Sequence, residues 1–285
     1  MSRVTETDLT LPDGRRLHVY DTGPPAASAA RLTVLWHHGT PNIGEPPAPL
    51  FPAADALGIR WVSYDRPGYG GSTPRPGRDV ASAAADSAAV ADALGVDRFA
   101  VMGHSGGGPH ALACGALLPE RVLAVVSVAG LAPFDAEGLD WFVGMAPSAA
   151  ASLRAAARGR EAKERHEATA AFDPEIFTPA DHAALTGPWS WFDEIVPPAV
   201  ASGPAPLIDD DLAYVSPWGF TPTEIPTPTL LLHGTEDRLV PAPHAQWLAH
   251  HCPRATLRLH PTEGHISLLN SATTALTWLA DHAVG

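Results

Sequence analysis

Arg98-Phe99-Ala100-Val101-Met102-Gly103-His104-Ser105-Gly106-Gly107-Gly108-Pro109 runs from an apolar stretch, through a glycine-flanked serine, into residues that favour a helix. It reads as a nucleophile elbow. A serine on a sharp strand-to-helix turn has a strained backbone, and the strand and helix beside it approach closely. Glycines two before and two after, here Gly103 and Gly107, meet both demands. The pattern arises by chance in about one chain in ten of this length, so its context decides. A Walker loop needs a lysine after its last glycine and a dinucleotide turn needs G-x-G-x-x-G; neither is present. Pro109 falls in the first helical turn, where a missing N–H costs little.

Working outward, Thr7 to Leu11 and Arg16 to Tyr20 flank the turn Pro12-Asp13-Gly14 and predict a hairpin. Short apolar runs follow at Leu32 to Trp36, Arg60 to Tyr64, Phe99 to Met102, Leu123 to Val128, Thr229 to Leu232 and Ala255 to Leu259. Continuous runs of this kind suit strands buried on both faces of a parallel sheet. Between them lie helical stretches: Asp79 to Leu94, closed by Gly95, then Gly108 to Leu118, Pro243 to His251 and Leu268 to His282. Such alternation predicts an α/β fold, a mostly parallel sheet with helices on both faces.

The alternation breaks once. Residues 134–224 turn helical or irregular, and prolines and aromatics gather there, Trp141, Phe142, Trp189, Trp191 and Trp218 among them. The segment is too long for a plain connection. It predicts a helical cap over the carboxyl edge of the sheet, with 1–133 and 225–285 forming the core domain. Ala149 to Ala157 reads as helix, and Arg158 to Arg165 as a charged exposed face.

Composition limits the partners. The chain has 18 basic and 31 acidic residues in 285, a formal net charge of −13, so neither nucleic acid nor an anionic membrane is expected as partner. A small-molecule substrate is. Cys114 and Cys252 are expected to be free thiols within helices. Met1 to Asp8 holds neither a basic start nor an apolar core, so no leader is expected and the cytoplasm is the expected location. The 14 histidines are scattered, and no metal site is expected.

A serine hydroxyl is a poor nucleophile near neutral pH and needs a base, which needs an acid to orient it. The chain offers Ser105, then Asp237 in His233-Gly234-Thr235-Glu236-Asp237, then His265 in Glu263-Gly264-His265-Ile266-Ser267. Both later groups follow predicted strands, which brings all three to one edge of the sheet. Glu236 and Asp135 are the alternative acids, and His260 the alternative histidine. Oxyanion donors are expected from the N–H of Gly106, at a helix N-terminus, and of Thr40, in His38-Gly39-Thr40-Pro41 after the Leu32 strand. His104, Trp141 and Trp218 are candidate substrate contacts, with ordinary packing the alternative for each.

His38 to Pro41, Tyr64-Asp65-Arg66-Pro67-Gly68-Tyr69-Gly70-Gly71-Ser72, Gly103 to Gly107, Asp237 and Gly264-His265 together resemble the α/β-hydrolase superfamily, in the branch of capped esterases and prolyl-aminopeptidase-like enzymes. The resemblance implies an eight-stranded sheet, an inserted cap, and acyl-enzyme hydrolysis with no cofactor. Haloalkane dehalogenases and epoxide hydrolases share the fold but use an aspartate nucleophile, where this chain has Ser105. The aminopeptidases usually carry a Gly-Gly-Ser-Trp-Gly-type elbow, from which Gly103 to Gly107 departs. The reading is therefore a serine hydrolase for small, neutral, apolar esters or lactones. The alternatives are an aminopeptidase, with Glu194 or Asp209-Asp210-Asp211 binding an ammonium, a carbon–carbon bond hydrolase, or a binding protein without turnover. For the three aspartates a solvated turn is the plainer expectation.

Overall fold

A computed structural model describes residues 4–24 and 31–283. Met1 to Arg3, part of the stretch read for a leader, lie outside the described residues. Eight strands form one sheet: β1 (Thr5–Thr10), β2 (Arg16–Asp21), β3 (Leu32–His37), β4 (Ile59–Tyr64), β5 (Phe99–His104), β6 (Val122–Val128), β7 (Thr229–Gly234) and β8 (Ala255–His260). The α-helices among the described residues are α1 (Phe51–Leu57), α2 (Ser82–Ala93), α3 (Gly107–Leu117), α4 (Pro147–Ala157), α5 (Arg160–Glu167), α6 (Pro179–Leu185), α7 (Phe192–Val200), α8 (Ala205–Tyr214), α9 (Pro243–His251) and α10 (Ala272–Ala283). None is long and apolar enough to cross a membrane.

The strand order is β1-β2-β4-β3-β5-β6-β7-β8. β2 runs antiparallel to both of its neighbours, and the strands from β4 to β8 pair in parallel. The hairpin turns where Gly14 adopts φ 83°, a left-handed conformation that costs glycine little. Side chains alternate between the faces of the sheet and build two apolar layers. Leu35, Val101, Val125 and Leu231 join residues of α2, α3 and α9 on one side. Val34, Met102, Val126 and Leu232 join residues of α1 and α10 on the other. Helices on both faces explain why every residue of β5 and β7 is buried. β8 is the exception: it lies at the sheet edge and its residues are partly or fully exposed, contrary to a strand buried on both faces.

Helices α4 to α8 lie between β6 and β7. Two expectations fail here. Lys163, in the stretch read as an exposed charged face, is wholly buried, with Nζ 2.5 Å from Asp211 and 2.7 Å from Glu167. Asp209, Asp210 and Asp211 form no solvated turn; they are buried within α8. Successive residues on a helix point about 100° apart, so each aspartate meets a different cation. Asp209 pairs with Arg160, Asp210 with Arg66 and Arg78, and Asp211 with Lys163. A third correction is small: Cys114 lies in α3, but Cys252 is the residue after α9, extended at φ −83° and ψ 118°. Pro253 follows it and disfavours a helical conformation there. Both cysteines are free and buried.

Candidate active site

β5 ends at His104 and α3 begins at Gly107, so the chain reverses over two residues. Ser105 takes φ 55°, the left-handed region that an L side chain seldom adopts. Hydrogen bonds hold it there: its N–H donates to the Val128 carbonyl at 2.8 Å, and its carbonyl accepts from Gly108 N–H at 2.9 Å. The glycines are required by contact. A Cβ at Gly103 would stand 2.1 Å from the Gly107 carbonyl oxygen, and one at Gly107 would stand 2.0 Å from that of His37.

His265 is 2% exposed, and its Nδ1 lies 2.7 Å from Asp237 Oδ2. Asp237 sits on the loop after β7. Its other oxygen accepts the N–H groups of Leu239 and Val240, each at 2.9 Å, which fixes the carboxylate plane. A carboxylate can only accept, so Nδ1 carries the proton and Nε2 is left as the basic nitrogen. Burial raises the Asp237 carboxyl, but the charge of His265 and hydrogen bonds from His233 and His265 carry it well below the ordinary range. Burial also lowers His265, and here the Asp237 charge and hydrogen bond prevail, aided by the Asp181 charge, so the imidazole lies above its ordinary value. The alternative acids Asp135 and Glu236 are exposed.

The loop after β3 brings Thr40 beside Gly106. A Cβ at Gly106 would stand 2.7 Å from Thr40 Oγ1, and 2.2 Å from the Tyr214 hydroxyl of α8. Asp210 anchors this loop from the inserted helices. Its Oδ2 accepts from the Thr40 hydroxyl at 2.6 Å, Arg66 Nη2 at 2.7 Å and the Tyr69 hydroxyl at 2.9 Å. Its Oδ1 accepts from Arg66 Nε at 3.2 Å and Arg78 Nη1 at 2.5 Å. Arg66 also donates to the carbonyls of His38 and Gly39. His38 is neutral in this setting: burial and the Arg66 charge hold it well below its ordinary value. Its Nδ1–H donates to Gly39 O, and its Nε2 accepts from Arg66 N–H.

Ser105, His265, Thr40, Gly106 and His104 all line one cavity of about 850 Å³, with Asp237 behind His265. The walls are mainly apolar, with Leu131, Leu153, Phe177, Phe192 and Val240 among them. His104 donates from Nε2 to the His265 carbonyl at 3.1 Å, and burial lowers its pKa to about 3, so it too is neutral. Trp141 and Trp218 do not line this cavity. Both belong to the core layer, with exposures of 4% and 2%, and their indole N–H groups donate to the carbonyls of Ala132 and Tyr214. The sequence points to the inserted aromatics as a group, and the rings from the insertion that reach the cavity are Phe172, Phe177, Phe192 and Tyr214. His110 is packed within α3, its Nδ1–H donating to the Gly106 carbonyl.

Residues 33–272 match the alpha/beta hydrolase fold family. The chain belongs to the α/β-hydrolase family. It is 30% identical, over 218 residues, to a pimeloyl-[acyl-carrier protein] methyl ester esterase of Nitrosomonas europaea; the match covers 74% of this chain and 80% of that protein. A non-heme chloroperoxidase of Streptomyces lividans is 33% identical over 127 residues, 44% of this chain and 45% of that one. Among solved structures, the enol-lactonase of Burkholderia xenovorans LB400 superposes with a TM-score of 0.70 at 17% identity, covering 98% of this chain and 100% of that one. The family is one of hydrolases, and the fold of this member carries the cavity described.

No local signal in the sequence marks Asp181, Arg78 or Asn42 as part of the site, nor Asp210 as the anchor of its loop. Asn42 lines the cavity from the loop carrying Thr40. Asp210 and Arg66 are 144 positions apart, and no spacing announces such a pair.

Proposed function

We propose that this hydrolase is a serine enzyme that cleaves neutral, apolar carboxylic esters or lactones through an acyl-enzyme. One observation carries the reading: Ser105 stands on a left-handed turn in the same apolar cavity as His265, whose far nitrogen is bonded to the buried Asp237 carboxylate. Ser105 Oγ attacks the carbonyl carbon while His265 Nε2 takes its proton. Asp237 holds the tautomer and stabilises the imidazolium. Charge developing on the carbonyl oxygen meets the N–H groups of Thr40 and Gly106. The His265 proton then passes to the leaving alkoxide, or to the ring oxygen of a lactone. Water attacks the acyl-enzyme by the same steps in reverse roles and regenerates the serine.

The apolar walls support a neutral, apolar substrate, and a cavity of this volume suits acyl groups of up to drug-like size. The esterase relative and the enol-lactonase neighbour accord with this reading. The carboxylates considered for an aminopeptidase's ammonium site favour that alternative less. Each of the three aspartates already holds a cation, and Glu194 is exposed. The test is a fluorophosphonate label with a burst assay on a chromogenic ester, comparing the parent with Ser105→Ala. The expected result is one label on Ser105 and turnover reduced by about 10³-fold or more in the variant. Near-parental turnover in Ser105→Ala would refute the assignment.

A further inference from the structure

The loop that carries His265 has no strand or helix of its own to define it until residue 267. Two of its N–H groups, those of Ile266 and Ser267, nevertheless find an acceptor, and it comes from the inserted helices. Asp181 of α6 is fully buried, and its Oδ1 accepts from Ile266 N–H and from Ser267 N–H, each at 2.8 Å. Its Oδ2 accepts from the N–H and the hydroxyl of Thr178, each at 2.9 Å. The fit leaves no room for a side chain: a Cβ at Gly264 would stand 2.1 Å from Asp181 Oδ2. On the other flank the His265 carbonyl accepts from His104 Nε2–H, and the ring is bonded to Asp237. With β7, β5 and α6 each supplying one anchor, loss of the α6 anchor frees the loop immediately after the imidazole.

We propose that Asp181 is a positioning residue for the hydrolytic reaction, holding His265 in line with Ser105 from the inserted helices. The inference rests on the serine-hydrolase reading above, and it makes the insertion part of the catalytic centre as well as its cover. An ionised carboxylate is needed for the task, and Asp181 has one. Burial raises its carboxyl, but the N–H donors of Ser267, Thr178 and Ile266 hold it below the ordinary range. The charged and titratable groups facing His265 are Asp237 from the loop after β7, His104 from the end of β5, and Asp181 from α6, with His233 behind Asp237. Two negative groups therefore favour the imidazolium, and Asp181 is the one that does not touch the ring.

Asp181→Asn removes the charge and sets an amide NH2 against the Thr178 N–H, or against those of Ile266 and Ser267 if the amide turns over, so one flank of the anchor is lost either way. In a folded variant, kcat should fall on the order of 10- to 100-fold with KM within about twofold, the size expected for a misplaced base. The acid limb of kcat/KM should also move to lower pH, on the order of half a unit. An NMR titration of His265 in parent and variant should show the same shift without any need for turnover. Unchanged kcat with an unmoved His265 titration would overturn the proposal. A titration shift between parent and variant, with a parent that neither labels nor turns over esters, would instead overturn the serine-hydrolase reading, and the catalytic part of this proposal with it. Should the Asp181→Asn variant not fold, Gly264→Ala takes its place, since its Cβ forces the loop from α6 with the charge retained. The same loss of kcat is then expected with the pH limb little changed, and parental kcat would overturn the proposal.

Discussion

Asp210→Asn should destabilise the protein by about 3–5 kcal/mol, the range for breaking a buried ion pair from one side. The structure gives the reason for so large a value. One carboxylate receives five hydrogen bonds from four side chains, and both arginines are 2% exposed at the side chain. With Asp210 ionised the three charged groups sum to +1; with Asn they sum to +2, buried. Arg78→Met is the informative partner. It leaves the neutral Arg66–Asp210 pair, and Arg78 Nε is already buried without a partner, so its loss removes an unfavourable group. Its cost should be smaller, about 1.5–3 kcal/mol, the range for a lost hydrogen bond to a charged group. Urea unfolding followed by tryptophan fluorescence measures both; the Asn variant should also lose on the order of 10 °C in Tm. Burial raises the Asp210 carboxyl, but the Arg66 and Arg78 charges hold it well below its ordinary value. Its contribution is therefore complete above about pH 4 and is lost only as pH falls towards the folded value. The difference between parent and variant should be equal at pH 7 and pH 5.5. An Asp210→Asn cost below about 1 kcal/mol, or an Arg78→Met cost equal to it, would refute this account of the cluster.

Asp237→Asn should lower kcat by about 10³-fold or more with little change in KM, because the carboxylate acts on the His265 tautomer and on charge absent from the bound ground state; steady-state kinetics beside the exposed-site variant Asp135→Asn, expected to be near-parental, checks it. The pH profile of kcat/KM should rise through one ionisation above the ordinary imidazole value of about 6.5, since His265 must be neutral to accept a proton and its pKa is raised. A midpoint clearly below 6 in the parent would contradict that sign. Trp141→Ala and Trp218→Ala should each cost about 3–5 kcal/mol in unfolding experiments and leave acyl-chain preference alone, whereas Phe177→Ala should do the reverse. A chain-length series of chromogenic esters with thermal melts separates the two outcomes.

Much of the sheet was legible because its signal is local. A strand buried on both faces must be apolar at every position, and β5 and β7 are buried throughout. β8 shares the sheet but not the burial, and its apolar run overstated its depth: Ala255 and Leu257 pack against one apolar layer, while Thr256, Arg258 and Leu259 are exposed. The inserted segment resisted reading for a different reason. Its helices pack by contacts that no spacing encodes, so Lys163 and the three aspartates looked solvated by composition and proved to be buried and paired. The aromatics were ambiguous in kind: Trp141 and Phe192 are both large, buried aromatic rings, and only their directions in space decide that Phe192 also reaches the cavity and Trp141 does not.

From the sequence alone came the parallel α/β architecture, the strained turn at Ser105, and the order Ser105, Asp237, His265, since strand burial, turn sterics and chain order all act between near neighbours. The tertiary structure decided which carboxylate faces His265, which rings line the cavity, and that Asp181 and Asp210 reach down from the inserted helices to hold the two loops beside Ser105. Those outcomes depend on groups far apart in the chain meeting in a dry interior. There a hydrogen bond or charge must find its partner wherever the fold brings one, and sequence distance has no bearing on the energy.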